Sequence, residues 1–232
     1  MNVSGVNALV TGANRGLGAA LVGELLARGA GTVYAAARDP RSVVHDDPRV
    51  VPLQLDVTDL ASVRAAAARA DDVDLVINNA GTSGAGSLLT GDPEHARAEM
   101  ETNFWGPVAV LRAFAPVLAR RGGGTVVTVL SALSWAAAPW AGSYAATKAA
   151  AWSLTNGVRV ELREQGTHVV GVYLGFMDTD MVAHLDVPKI AAKDVAAQIV
   201  DGIVAGADEV LADAPSRGLK QALAGAPAGL EV

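Results

Sequence analysis

Short apolar runs, each closed by turn residues, alternate along this chain with longer alanine-rich stretches of helical period. The runs at 6–10, 31–37, 50–55, 73–77, 125–130, 169–174 and 209–212 are nearly continuous in Val, Leu, Ile and Ala. Strands buried on both faces read this way. Residues 19–28, 58–70, 93–120, 143–164 and 194–205 carry helical spacing instead, with Thr58 placed to cap the second of them. Gly106-Pro107 interrupts the long run at 93–120 and predicts a kink there. Gly122-Gly123-Gly124 predicts a turn, and residues 40–48 and 215–224 leave room for a helical turn or two each. Strands and helices in this alternation fold as an α/β doubly wound parallel sheet with helices on both faces. Neither an internal repeat nor a long linker divides the chain, so a single domain is expected over residues 1–224. Residues 225–232, rich in Ala, Pro and Gly, are expected to form a loose tail.

Composition narrows the class. The 232 residues are 51% hydrophobic, enough for one sizeable core, yet no apolar run approaches the length of a membrane span. The first residues lack the basic-then-apolar layout of a secretory signal. Cysteine is absent, which excludes disulfides and thiolate metal sites and fits a cytoplasmic protein. A net charge of −6 disfavours nucleic acid or an anionic membrane as partner. The four histidines lie far apart in sequence, and no metal site is expected.

Chemistry enters where the first run meets Thr11-Gly12-Ala13-Asn14-Arg15-Gly16-Leu17-Gly18. A strand, a glycine loop and a helix start make a phosphate cradle, because glycines allow close backbone approach and free N–H groups favour an anion. The alternative is a Gly-rich turn with no ligand; the placement after a first strand favours a dinucleotide and a Rossmann-type sheet. Arg38 ends the second run where an acidic residue would hold a ribose 2′-hydroxyl, and Arg15 lies in the glycine loop. Two guanidinium groups suit a 2′-phosphate, which selects NADP(H), unless both are simply solvated. Asp39 opposes that choice but stands one residue later, where it starts a turn with Pro40. Asp56-Val57 ends the third run, and Asn78-Asn79-Ala80-Gly81 follows the fourth, with small residues beside a bound cofactor.

Ser131 closes the fifth run, and Tyr144 and Lys148 stand four apart at the start of a helix, on one face. An ammonium beside a phenol lowers its pKa toward the range of acid–base catalysis. Asn103 precedes the Gly106-Pro107 break, where a freed carbonyl would hold a water; read locally, it is equally an amide on a solvated helix face.

Taken together and in this order, the motifs at 11–18, 56–57, 78–81, Asn103, Ser131 and 144–148 resemble those of a classical short-chain dehydrogenase/reductase, over residues 5–212. The resemblance implies a catalytic tetrad of Asn103, Ser131, Tyr144 and Lys148. Tyr144 would be the general acid for carbonyl reduction and base for alcohol oxidation, and Lys148 would hold the nicotinamide ribose and lower the Tyr144 pKa. Ser131, preferred to Ser134 by its interval to Tyr144, would polarise the carbonyl, and Asn103 would support a relay water. Gly12, Asn14, Arg15, Gly16, Leu17, Gly18, Arg38, Asp56, Val57, Asn79, Ala80, Gly81, Gly175 and Thr179 would line the cofactor. Leu133, Trp135, Trp140, Phe176, Met181 and Val182 flank the reaction centre and imply an apolar carbonyl or alcohol substrate. The expected activity is an NADPH-dependent carbonyl reductase; alternatives are an NAD-dependent alcohol dehydrogenase and a regulatory protein that binds a nicotinamide without chemistry. Two departures stand out: Leu174-Gly175 where the family has Pro-Gly, and no glycine-rich finish after the last strand, which bears on a tetramer contact. A homodimer or homotetramer through 95–120 and 143–164 is the expected assembly.

Overall fold

In a computed structural model of the chain, which describes residues 1–84, 86–183 and 185–225, seven parallel strands form one sheet. They are β1 (Asn7–Thr11), β2 (Thr32–Ala37), β3 (Val50–Gln54), β4 (Leu75–Asn78), β5 (Gly124–Val129), β6 (Thr167–Tyr173) and β7 (Glu209–Leu211). Their order is β3-β2-β1-β4-β5-β6-β7, so the winding reverses between β1 and β4. The helices are α1 (Gly16–Ala27), α2 (Leu60–Arg69), α3 (Pro93–Met100), α4 (Gly106–Arg120), α5 (Gly142–Glu161), α6 (Ala192–Ala205) and α7 (Ala214–Ala222). All but the first residue of the expected tail, that is 226–232, lies outside the described residues.

Successive strand residues point to opposite faces, and here both faces are buried. Val10, Ile77, Val127 and Val170 meet Leu21 and Leu25 of α1 and Val195 and Ile199 of α6 on one side. Leu9, Val76, Val126 and Val169 meet Val63 of α2 and Val110 and Phe114 of α4 on the other. That double burial is why the strands read as unbroken apolar runs rather than as alternation. A third core, with Leu130, Trp135, Ala151, Tyr173 and Leu219, lies beneath the chain that follows β5 and is closed by α7.

Two local expectations change. Helix α2 is capped by Asp59, whose Oδ1 accepts from the Ala61 N–H at 2.8 Å, and not by Thr58. The Thr58 hydroxyl and N–H both donate to Asp56 Oδ1, at 2.7 and 2.9 Å, which removes it from the capping position. The run at 93–120 is irregular just before Gly106-Pro107 rather than at it: a π-helical turn, Glu101–Trp105, joins α3 to α4. Pro107 lacks the N–H that an α-helix would direct to the Asn103 carbonyl, and the wider turn accommodates that loss.

Gly18 shows how tightly α1 is seated: a Cβ there would lie 2.1 Å from the Gly12 carbonyl oxygen and 2.8 Å from Ala13 Cα. Overpacking of this kind costs about 1–3 kcal/mol or more, and each kcal/mol moves Tm by about 2–4 °C at this size. Gly18→Ala is therefore expected to lower the melting temperature by roughly 5 °C or more, read by circular dichroism.

Candidate active site

The site forms at the carboxyl ends of β1, β4, β5 and β6, beside the reversal in strand order. Its first part is the loop from β1 to α1, where Gly16 takes φ +54°, a conformation that favours glycine. The N-cap of α1 is Arg15, which makes no side-chain cap bond, and the first turn carries no acidic residue. By contrast α2, α3 and α7 are capped by the carboxylates of Asp59, Asp92 and Asp213. The leading N–H groups of α1 are thus left without a side-chain acceptor, the arrangement a phosphate fits. Asn14 and Gly16 are exposed while Leu17 and Gly18 are buried, so the loop presents backbone outward and anchors itself inward.

The neighbouring strand end is tied to this loop. Thr11 Oγ1 accepts from the Asn79 and Ala80 N–H groups, each at 3.0 Å, and Asn79 Nδ2 donates to the Thr11 and Gly12 carbonyls at 2.8 and 3.2 Å. Thr11 is a holding residue that the strand pattern did not single out. Arg38 is exposed, and Asp39 is turned away to cap a 3₁₀ turn. Arg41 grips the Asp39 carboxylate with two side-chain bonds of 2.9 and 3.0 Å and holds its pKa below the ordinary value. Arg15, in turn, forms an exposed ion pair with Asp180 at 3.1 Å. Val57 is buried, and Asp56 is half-buried with its carboxylate engaged by Thr58.

The second part brings Ser131, Tyr144, Lys148 and Asn103 together. Ser131 follows β5; its Oγ accepts from the Leu133 N–H at 3.1 Å and donates to the Leu174 carbonyl at 3.4 Å. Ser134 Oγ instead accepts from the Ser131 N–H at 3.3 Å, a buried supporting bond. Lys148 is 6% exposed, donates to the Val129 carbonyl at 2.9 Å and lies 5.6 Å from the centre of the Tyr144 ring. Gly81 leaves the space there, since a Cβ on it would be 3.8 Å from Lys148 Nζ and 3.3 Å from Asn103 Oδ1.

Asn103 is 2% exposed, not a surface amide. Its Oδ1 accepts from the Thr82 N–H at 2.9 Å, and its Nδ2 donates to the Thr82 carbonyl at 2.8 Å and to Thr147 Oγ1 at 3.0 Å. The Thr147 hydroxyl donates onward to the Tyr144 carbonyl at 2.8 Å. The side chain therefore fixes the loop after β4 to the start of α5. Glu99 was missed; it lies four residues before Asn103 on the same helical face, 2% exposed, and its Oε1 accepts from the Gly84 N–H at 2.6 Å.

Electrostatics here run against one expectation. Burial pushes the Tyr144 phenol up to about 12, outweighing a hydrogen bond with Ser131 that lowers it, and Glu99 adds to the rise. Burial brings Lys148 down to about 8. Lys148 loses its charge near pH 8, well below the pH at which Tyr144 ionises, and so does not lower the phenol there.

A segment after β6 covers the glycine loop. Asp178 N–H donates to the Ile190 carbonyl at 2.9 Å and Ile190 N–H to the Phe176 carbonyl at 3.0 Å, which closes the segment on itself. Thr179 rests on Gly16, its Cγ2 3.3 Å from where a Cβ would stand. Exposed Trp140 stacks on half-buried Phe176 with centroids 6.0 Å apart, and Val182 is half-buried in the turn Asp180–Val182. The Met181 side chain lies outside the described residues. Trp135 is corrected from cleft wall to core: it is 7% exposed and stacked on Tyr173 at 4.1 Å, with Leu133 packed against the same cluster. Among the described residues, no helix is long and apolar enough to cross a membrane.

Known proteins match this arrangement. A family profile described as short chain dehydrogenase matches residues 6–189. A short chain dehydrogenase from Burkholderia cenocepacia J2315, solved in complex with NADP, superposes with a TM-score of 0.95 at 42% identity, covering 99% of this chain and 97% of that one. The 3-oxoacyl-acyl-carrier-protein reductase FabG of Escherichia coli (strain K12) is 30% identical over 217 residues, 90% of this chain and 88% of its own. Short-chain dehydrogenase PC-15 of Penicillium crustosum is 34% identical over 180 residues, and the match takes in 74% of this chain and 65% of that protein.

The folded value for Lys148 lies below the 10.5 of a free lysine, so its buried-charge penalty is present in full below pH 8 and is relieved as pH rises from 8 to 10.5. In labelled protein one lysine side-chain resonance is expected to titrate near pH 8 by NMR and to vanish in Lys148→Met; a titration near 10.5 for every lysine contradicts this.

Proposed function

The chain belongs to the short-chain dehydrogenase family of oxidoreductases, and from that premise we propose that it reduces small apolar ketones or aldehydes with NADPH, alcohol oxidation being the reverse. One observation carries the reading: a phenol, a hydroxyl and a buried amine converge beside a helix start that no side chain caps. The nicotinamide, when bound, supplies the hydride. Tyr144 keeps its proton at neutral pH, as an acid that protonates the carbonyl oxygen must. The Ser131 oxygen is held by the Leu133 N–H, and its one proton, turned from the Leu174 carbonyl 3.4 Å away to that oxygen, would orient it, so that the two groups stabilise the negative charge that develops there. Lys148, charged below pH 8, would hold the ribose hydroxyls of a bound nicotinamide cofactor. Asn103 holds the Tyr144 segment through Thr147.

For the cofactor, NADP(H) is supported by exposed Arg38, by Asp39 being occupied with Arg41, and by a relative solved with NADP. Arg15 turned toward Asp180 favours the second reading, NAD(H), by leaving one guanidinium for the 2′-phosphate. The stacked pair of exposed Trp140 and half-buried Phe176, which follow Ser131 and β6 in the chain, supports an apolar substrate. Exposed Trp105 between α3 and α4, and exposed Val160 on α5, offer apolar surface for a homodimer or homotetramer at the helices expected from sequence.

Tyr144→Phe is expected to lower kcat about 10²–10⁴-fold while NADPH binding, read by fluorescence transfer from tryptophan, is kept; unaltered turnover rejects the role. For wild type, kcat/KM for reduction is expected to fall as pH rises through about 8, where Lys148 loses its charge. Titration with both cofactors is expected to show tighter NADPH binding, weakened about tenfold or more by Arg38→Ala; tighter NADH binding reverses the assignment.

A further inference from the structure

We propose that Asp213 is a positioning residue for this site, gripping through one peptide group both the Ser131 hydroxyl and the backbone from which the covering segment starts. The proposal rests on the carbonyl-reductase reading above. The peptide in question joins Leu174 to Gly175 at the end of β6. Its carbonyl accepts from the Ala132 N–H at 2.9 Å and from the Ser131 hydroxyl at 3.4 Å. Its N–H donates to Asp213 Oδ2 at 2.5 Å. The other carboxylate oxygen, Oδ1, accepts from the Ser216 N–H at 2.9 Å and caps α7. Both oxygens of Asp213 are therefore committed, one to the helix and one to the site.

An anionic acceptor on an amide N–H polarises and fixes the whole peptide, so that its carbonyl keeps the Ser131 Oγ in place until the serine's one proton turns to the substrate oxygen. The same bond restrains the backbone at the place where Leu174 leaves φ free to turn. Space is equally tight, because a Cβ on Gly175 would lie 3.2 Å from Asp213 Oδ2. Helix α7 does not hang on this bond alone. Lys220 donates to Glu209 Oε1 at 2.7 Å and lies 5.0 Å from the Trp135 ring centre, Arg217 donates to the Leu211 carbonyl at 2.9 Å, and Leu219 is buried in the third core. The clamp on Gly175 can thus be removed while the helix stays docked.

Asp213→Asn makes that separation. Asparagine is a good N-cap, so its one acceptor oxygen stays on the Ser216 N–H, and its amide then faces the Gly175 N–H, donor against donor. The melting temperature is expected to change by a few degrees at most, and the NADPH dissociation constant by about twofold. The kcat for carbonyl reduction is expected to fall roughly tenfold to a hundredfold, with KM within about threefold, because a small misplacement of the polarising group acts on the chemical step. In protein labelled with ¹⁵N-glycine, the Gly175 amide proton is expected far downfield in wild type and moved upfield in the variant. An unchanged kcat, an unmoved Gly175 resonance, or a loss of kcat with KM, cofactor affinity and melting temperature all failing in step overturns the proposal. A wild type that turns over no carbonyl compound with either cofactor brings down the reductase reading and the positioning role with it, while the Gly175 resonance still reports the bond; with an active wild type, failure belongs to Asp213 alone.

Discussion

At 6% exposure Lys148 carries its ammonium group to a place that water barely reaches, and losing a proton near pH 8 instead of 10.5 corresponds to a penalty on the order of 3 kcal/mol. Among the described residues no carboxylate pairs with it; the Val129 carbonyl accepts its proton at 2.9 Å. A cost of that size, set against the 5–15 kcal/mol of stability usual for a domain, is tolerated because the surrounding elements converge there. The end of β5 supplies the carbonyl, Gly81 supplies room, and Asn103 and Thr147 fix the helix from which the lysine projects. Moving any one of them moves the amine relative to the phenol.

The sheet makes this convergence possible without contributing a side chain to it. Strands covered on both faces leave their carboxyl ends as the places where loops can vary, and the change of winding between β1 and β4 opens a crevice between them. Helix starts differ: those of α2, α3 and α7 are closed by aspartate, whereas α1, α4, α5 and α6 have no side-chain cap, and of these four α1 is the one that follows the glycine loop after β1. An uncapped helix start behind a glycine loop leaves free N–H groups that favour a ligand with negative charge.

Much of this was readable along the chain, for identifiable reasons. The strands announced themselves because double burial keeps their central residues mostly apolar, with polar residues such as Thr11, Gln54 and Glu209 confined largely to their ends, and the glycine loop and the Tyr144–Lys148 spacing are local in sequence. What escaped depends on partners distant along the chain. Asp213 meets Gly175 across 38 positions, and Asn103 meets Thr147 across 44. Glu99 was within reach, since its interval to Asn103 puts both on one helical face, but an acidic residue on a helix ordinarily means solvent. Thr58 lost the capping position to Asp59 because Asp56 captured its hydroxyl, a competition no propensity records. The sign of the Tyr144 shift failed for the same kind of reason: spacing gives proximity to a cation, whereas burial decides what proximity is worth.

The π-helical turn at Glu101–Trp105 has a consequence of its own. One added residue advances a helix by about 100°, so the turn acts as a phase shifter between its two flanks. Glu99 upstream and Asn103 within the turn are aimed at polar loop backbone; downstream, Val110, Phe114 and Val117 are aimed at the sheet. A uniform helix would have to compromise between those two bearings. With the offset built in, the polar half and the apolar half are free to diverge separately, each under its own selection.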